Sequence, residues 1–191
     1  MKKAYVFLAE GFEEIEALAT VDILRRAGLQ TATVTISSSQ QVKGAHGVEV
    51  TADITLSDVV HDLNDWLILP GGMPGATNLA ECEQLCDMIK AHNEHKGHIA
   101  AICASPAVVL APLGILDGKE ATCYPGFEQA LKNCKVGFRP VVIDENIITA
   151  NGPGNTIAFA LAIVAAALCE DKAREIAEGL LVYTPRQDYN F

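Results

Sequence analysis

Ala100-Ala101-Ile102-Cys103-Ala104-Ser105-Pro106 is the stretch that decides how this chain is read. Residues 98–102 have the length and apolar character of a buried strand. The strand runs into Cys103, and Pro106, a residue suited to the first turn of a helix, follows almost at once. Small residues surround the cysteine, as a tight turn requires. The chain is therefore expected to swing from strand to helix with Cys103 at the elbow. A helix start beside it would present free N–H groups and a positive dipole end. Both stabilise a thiolate, so Cys103 is expected to be a reactive thiol of lowered pKa. The alternative is a buried cysteine acting as a small apolar residue.

The same alternation extends outward in both directions. Upstream, 4–8 reads as a buried strand. Residues 14–27 read as a helix with apolar positions at Leu18, Val21 and Leu24, stopping at Gly28. Residues 31–36 read as a second strand, and 42–50 as a small hairpin turning near Gly44-Ala45-His46-Gly47. A strand over 66–69 runs into Pro70-Gly71-Gly72, and one helix is expected over about 77–95. Downstream of the elbow come a helix over 106–113, a turn at Asp117-Gly118 and a short strand over 121–123. A hairpin follows from 141–143 and 147–150 around Asp144-Glu145-Asn146. A buried helix over 156–168 and a short one over 172–178 complete the pattern. This order predicts one α/β domain over 1–191 with a mostly parallel sheet and helices on both faces. In such sheets, sites form beyond the carboxyl ends of the strands. Segments 9–16, 70–76 and 103–106 all lie there.

Composition narrows the function. Of 191 residues, half are apolar and the net charge is -10. An acidic surface without a basic stripe argues against nucleic acid as a partner. The apolar run after Lys3 is too short for a signal peptide, and the run over 158–169 is shorter than the ~20 residues that span a bilayer. No membrane association and a cytoplasmic location are expected. The six cysteines then read as reduced thiols, not as a disulfide framework.

Three further stretches concern the elbow. Glu10, Glu13, Glu14 and Glu16 crowd a strand-to-helix junction, where acidic residues are favoured in any case; spacing alone does not say which one points inward. A protonated carboxyl beside a thiol could hydrogen-bond the thiolate, whereas an ionised one would raise the thiol pKa. Gly71-Gly72-Met73-Pro74-Gly75-Ala76 could turn amides toward a ligand, and Gly152-Pro153-Gly154 is a comparable turn. Cys82 and Cys86 read as core positions of one helix. His92, His95 and His98 are spaced by three but read as a solvated helix end, not a metal site. His46 and His61 fall in loops.

Taken together, these segments resemble the ThiJ/PfpI superfamily, in the branch of YajL and the Parkinsonism-associated deglycase. The matching stretches are Leu8-Ala9-Glu10-Gly11-Phe12-Glu13-Glu14-Ile15-Glu16, Leu69-Pro70-Gly71-Gly72, Ala100-Ala101-Ile102-Cys103-Ala104 and Gly152-Pro153-Gly154. The resemblance implies a flavodoxin-like α/β sandwich, a homodimer and a reactive Cys103 in a strained elbow. It implies that Glu16 is the protonated partner carboxyl and that the amides of Gly72 and Ala104 form an oxyanion site. Ala104 stands where the protease-like branch has a histidine, which argues against peptidase chemistry. Tyr124, before Pro125, stands where the deglycase has a histidine, and His46 where it has an arginine near the pocket; both are therefore expected at the substrate site.

The function so implied is a cysteine-dependent glyoxalase or deglycase-type enzyme of the stress response. It would act on methylglyoxal or glycated adducts and require no metal or organic cofactor. The alternative is an oxidation sensor or redox-regulated chaperone that uses Cys103 with little turnover. A phosphate-binding module is the third reading, disfavoured by the acidic charge and by the absence of a phosphate-loop motif.

Overall fold

The computed structural model describes residues 2–182. The strands are β1 (Lys3–Leu8), β2 (Gln30–Thr35), β3 (Gln41–Lys43), β4 (Glu49–Thr51), β5 (Ile54–Thr55), β6 (Trp66–Leu69), β7 (His98–Ile102), β8 (Glu120–Ala121), β9 (Lys135–Val136), β10 (Val141–Asp144) and β11 (Ile147–Ala150). The α-helices are α1 (Glu14–Arg26), α2 (Gly75–Glu81), α3 (Glu83–Glu94), α4 (Thr156–Ala167) and α5 (Glu170–Gly179).

Among the described residues, seven strands form the main sheet in the order β10-β11-β7-β6-β1-β2-β5. All neighbours pair in parallel except the hairpin of β10 and β11. The alternation of side chains along β1 explains the layering. Ala4, Val6 and Leu8 pack with residues of α1, α4 and α5 on one face. Tyr5 and Phe7 pack with residues of α2 and α3 on the other. A strand buried on both faces has no polar side to show, so it reads as a continuous apolar run. The expected two-faced α/β sandwich is what the chain forms.

Strand order also places the site. From β1 the chain crosses to β2 on one side, while β6 and β7 lie on the other. The order thus reverses between β1 and β6, which opens a crevice at their carboxyl ends. Residues 9–16, 70–72 and 103 leave their strands into that crevice.

Several local readings need correction. The helix expected over 77–95 is two helices, broken at Cys82, whose backbone is extended (φ -80°, ψ 94°). No glycine or proline marks that break. Cys82 is therefore a half-buried junction residue and not a core helix position, whereas Cys86 is buried as expected. After the elbow, the helix expected over 106–113 is a single π-type turn, Pro106–Leu110. The short strand expected at 121–123 lies at β8 and pairs with β9, which the sequence did not suggest. His92 is fully buried, not solvated. The end of α3 packs on the amino end of the sheet, where His92 Nε2 lies 3.1 Å from the Asp65 carbonyl oxygen. His98 stacks on Trp66 at 4.6 Å, and His95 is the exposed member of the three.

Candidate active site

Cys103 sits immediately after β7 with φ at +64°, a left-handed conformation that costs a non-glycine residue on the order of 1 kcal/mol or more. Two backbone hydrogen bonds hold it there. Its N–H donates to Ala150 O at 2.9 Å, and its carbonyl accepts the Tyr124 N–H at 2.7 Å. The expected strained elbow is thus present and pinned from both sides. One turn on, the buried Ser105 hydroxyl donates to Pro70 O at 2.5 Å, tying the elbow to the loop that follows β6.

That loop comes so close that only glycine fits. A Cβ on Gly71 would stand 2.7 Å from Cys103 Cβ, 2.9 Å from Glu16 Oε2 and 3.0 Å from Ala104 N. Gly72 has φ +89°, and a Cβ there would collide with Glu13 N and Gly11 O. Bare backbone therefore approaches the thiol, and the amides of Gly72 and Ala104 favour the charged form of Cys103. These are the two amides expected for the oxyanion site.

Glu16 completes the centre. It lies in the first turn of α1 and is fully buried. Its Oε2 accepts the Gly71 N–H at 2.7 Å. Among the described residues its Oε1 has no hydrogen bond of ordinary geometry, and the Cys103 thiol is a polar neighbour of the carboxyl. Burial pushes Glu16 up to about 7, helped by the charge of Glu13 and opposed by the Gly71 amide and the thiol. Burial, then the charge and hydrogen bond of Glu16, push the Cys103 thiol up to about 12, while the Gly72 and Ala104 amides pull it down. The expectation of a simply lowered thiol pKa is therefore wrong. The helix start beyond Cys103 is one short turn, and the thiol is 8% exposed beside a carboxyl, so desolvation wins. The two groups titrate as a pair. One negative charge is shared between a carboxyl with one amide donor and a sulfur with two.

The two remaining expected site residues stand further out. Tyr124 is tied to Cys103 through its backbone, while its half-exposed ring lies beside Gly152 and 6.4 Å from the Phe127 ring. His46 belongs to a separate cluster. Its Nδ1 is 2.7 Å from Glu14 Oε2, and its backbone N–H donates to Glu14 Oε1 at 2.7 Å. Burial alone would raise Glu14, but the ring and backbone hydrogen bonds of His46 hold its carboxyl below the usual range. Glu14 in turn raises His46. Donor atoms of Glu13, Glu14 and His46 lie within 4.8 Å of one another. Three of the four carboxylate oxygens are already hydrogen-bonded, two of them to the 44–48 loop. The cluster is therefore a loop clamp.

The sequence does not single out Ser105, and it leaves Glu13 as one of four carboxylates at the junction. The Glu13 carboxylate caps α1 by accepting the Glu16 N–H at 2.7 Å. Its only sequence signal was its place one residue before the helix.

A strained cysteine paired with a buried glutamate under two glycine-loop amides agrees with what the sequence resembles, and direct comparison bears the resemblance out. The profile of the DJ-1/PfpI family matches residues 2–166. The chain belongs to the DJ-1/PfpI family. This DJ-1/PfpI protein is 37% identical over 185 residues to Protein DJ-1 homolog B of Arabidopsis thaliana, covering 96% of itself but only 42% of that relative. The chain thus spans less than half the length of that plant protein. It is 39% identical over 168 residues to the glutathione-independent glyoxalase DJR-1.2 of Caenorhabditis elegans, covering 85% of itself and 87% of that relative. Its fold matches oxidized Toxoplasma gondii DJ-1 with a TM-score of 0.90 at 36% identity, covering 95% of this chain and 98% of that one. Among the described residues, no helix is long and apolar enough to cross a membrane.

Proposed function

We propose that this protein is a cysteine-dependent, glutathione-independent glyoxalase acting on methylglyoxal and related small dicarbonyls. The observation that carries this reading is the contact of the Cys103 thiol with a fully buried Glu16 beneath the Gly72 and Ala104 amides. The nematode relative named as a glutathione-independent glyoxalase supports it.

The reacting form places the proton on Glu16 and the charge on sulfur. The Cys103 thiolate attacks the aldehyde carbon, forming a C–S bond, and the carbonyl oxygen takes the Glu16 proton. The two amides stabilise the oxyanion on the way. The Glu16 carboxylate then removes the C1 proton of the hemithioacetal, and the resulting enediol collapses to a thioester as a proton is delivered to C2. Water cleaves the thioester, so that methylglyoxal and one water become lactate and the thiol returns. A buried carboxyl pushed to about 7 suits both halves of that transfer, because it gives and takes a proton with little cost near neutrality. Glycated adducts that release or present the same dicarbonyl carbon would enter by the same first step. The protein is proposed to work as a cytoplasmic homodimer.

The test is lactate formation from methylglyoxal without glutathione, using fully reduced protein. Turnover that falls to background in Cys103→Ala and Glu16→Ala, with the fold intact, would support the enzyme. Inactive unmodified protein would sink it and leave the oxidation-sensing reading, in which the same amides and Glu16 hold a sulfinate on Cys103.

A further inference from the structure

Two carboxylates lie three residues apart at the same end of α1, and they are held in different ways. Glu16 is fully buried, with one oxygen on the Gly71 amide and the other, among the described residues, without an ordinary hydrogen bond. Glu13 is 9% exposed; its Oε2 accepts the Glu16 N–H at 2.7 Å and its own N–H donates to Gly71 O at 3.0 Å. A closed ring results. Glu13 N–H reaches Gly71 O, Gly71 N–H reaches Glu16 Oε2, and Glu16 N–H reaches Glu13 Oε2. Glu13 therefore grips both the helix that carries Glu16 and the loop that covers Cys103.

We propose that Glu13 is a positioning residue that fixes Glu16 against the thiol and holds it in its neutral, proton-donating form. Two like charges on one turn of a dry site are costly, so one group keeps the charge and the other keeps the proton. Glu13 has the helix-start N–H to satisfy a charge. Glu16 has a single amide and a thiol. The groups facing Glu16 are Glu13 from its own helix, Cys103 from the end of β7, and from the 70–72 loop only backbone. Beyond Glu13 stand the paired Glu14 and His46. The charge of Glu13 adds to burial in pushing Glu16 up to about 7. The use made of the Glu16 proton rests on the glyoxalase reading, but the ring and its effect on Glu16 do not.

The test needs no turnover. The rate of Cys103 alkylation by iodoacetamide is followed against pH by peptide mass spectrometry, which separates Cys103 from the exposed Cys169. The unmodified protein is expected to show an inflection near neutrality that Glu16→Gln removes. Glu13→Gln keeps an oxygen to cap α1 but loses the charge, so the inflection is expected to move down by about half a pH unit or more. Glu13→Ala, which loses both cap and charge, should move it as far and also lower the melting temperature. A cap with no electrostatic part predicts the unmodified inflection in Glu13→Gln, and that result would overturn the proposal. An inflection that survives in Glu16→Gln would overturn it as well, because the titrating group would not be Glu16. Lactate assays on the same samples report separately on the glyoxalase reading.

Discussion

Glu16 and His92 stand at opposite ends of the same sheet and share a description. Each is fully buried, each has one side-chain atom on backbone, and each has one atom without an ordinary hydrogen bond. Burial drives both toward neutrality, Glu16 upward and His92 downward. Their surroundings differ. Glu16 faces a nucleophile in a left-handed elbow and a loop stripped to backbone by two glycines. His92 faces the Asp65 carbonyl and the His61 ring at 5.3 Å, at the amino end of the sheet. A buried titratable group is therefore no sign of chemistry by itself. What distinguishes a site is a second reactive group and donors aimed at the place where charge develops.

The largest expected effect breaks or keeps that contrast directly. Glu16→Gln preserves shape but has no carboxyl proton to move, and turnover on methylglyoxal should fall by about 10²–10⁴. His92→Phe fills a similar volume at the other end of the sheet and should leave turnover per folded molecule within about twofold. Steady-state lactate assays on both variants decide it. A large loss in His92→Phe would mean that the two ends of the sheet are coupled.

Next come the glycines. Gly71→Ala forces a methyl against Cys103 Cβ and Glu16 Oε2, so it should destabilise the fold by about 1–3 kcal/mol and also impair turnover. Gly97→Ala forces a methyl onto the His92 ring and should cost comparable stability without touching turnover. Urea denaturation beside the lactate assay separates the two cases. Equal activity losses in both would show that the Gly71 effect is only a matter of stability.

The sequence was legible where geometry is local and periodic. The strand ends, the elbow at Cys103 and the hairpins follow from apolar runs, turn residues and small side chains. Family resemblance supplied what spacing could not: Glu16, not Glu10, Glu13 or Glu14, points inward. That choice depends on where α1 docks against the 70–72 loop, a tertiary fact. The break at Cys82 and the burial of His92 stayed hidden for the same reason. Both are set by how α2 and α3 divide between the elbow and the sheet, and no glycine or proline records it. A helix start beside Cys103 suggests a lowered thiol pKa, but Pro106–Leu110 is a single turn and burial pushes the thiol up.

Stability against pH sharpens the comparison further, because the two groups should pull in opposite directions. The raised Glu16 contributes stability that is full below its unfolded value near 4.5 and is lost as pH rises through about 7. The shift corresponds to something on the order of 3 kcal/mol. The lowered His92 contributes stability that is full above its unfolded value near 6.5 and is lost as pH falls below it. Glu16→Gln should therefore flatten the decline on the neutral side, and His92→Phe the decline on the acid side. Chemical denaturation at a series of pH values reads both slopes. Matching slopes in the two variants would deny that either group is responsible.

The smallest effect concerns His46, which resemblance placed at the substrate site and the structure places in a clamp with Glu14. Its raised pKa means that the clamp is complete below the ordinary histidine value and weakens as pH rises through the raised one. His46→Gln should lower the hydrogen-exchange protection of the Gly44 and Ala45 amides at pH 6, where the imidazolium–carboxylate pair is lost, and leave it unchanged at pH 9. The pair is mostly exposed on the histidine side, so the change in global stability should be slight. Turnover should not change if the clamp only shapes the 44–48 loop. If turnover on methylglyoxal falls at pH 6 while loop protection stays intact, His46 contacts the substrate after all. The boundary of the site would then extend from the Cys103–Glu16 pair outward across Glu13 and Glu14 to the surface.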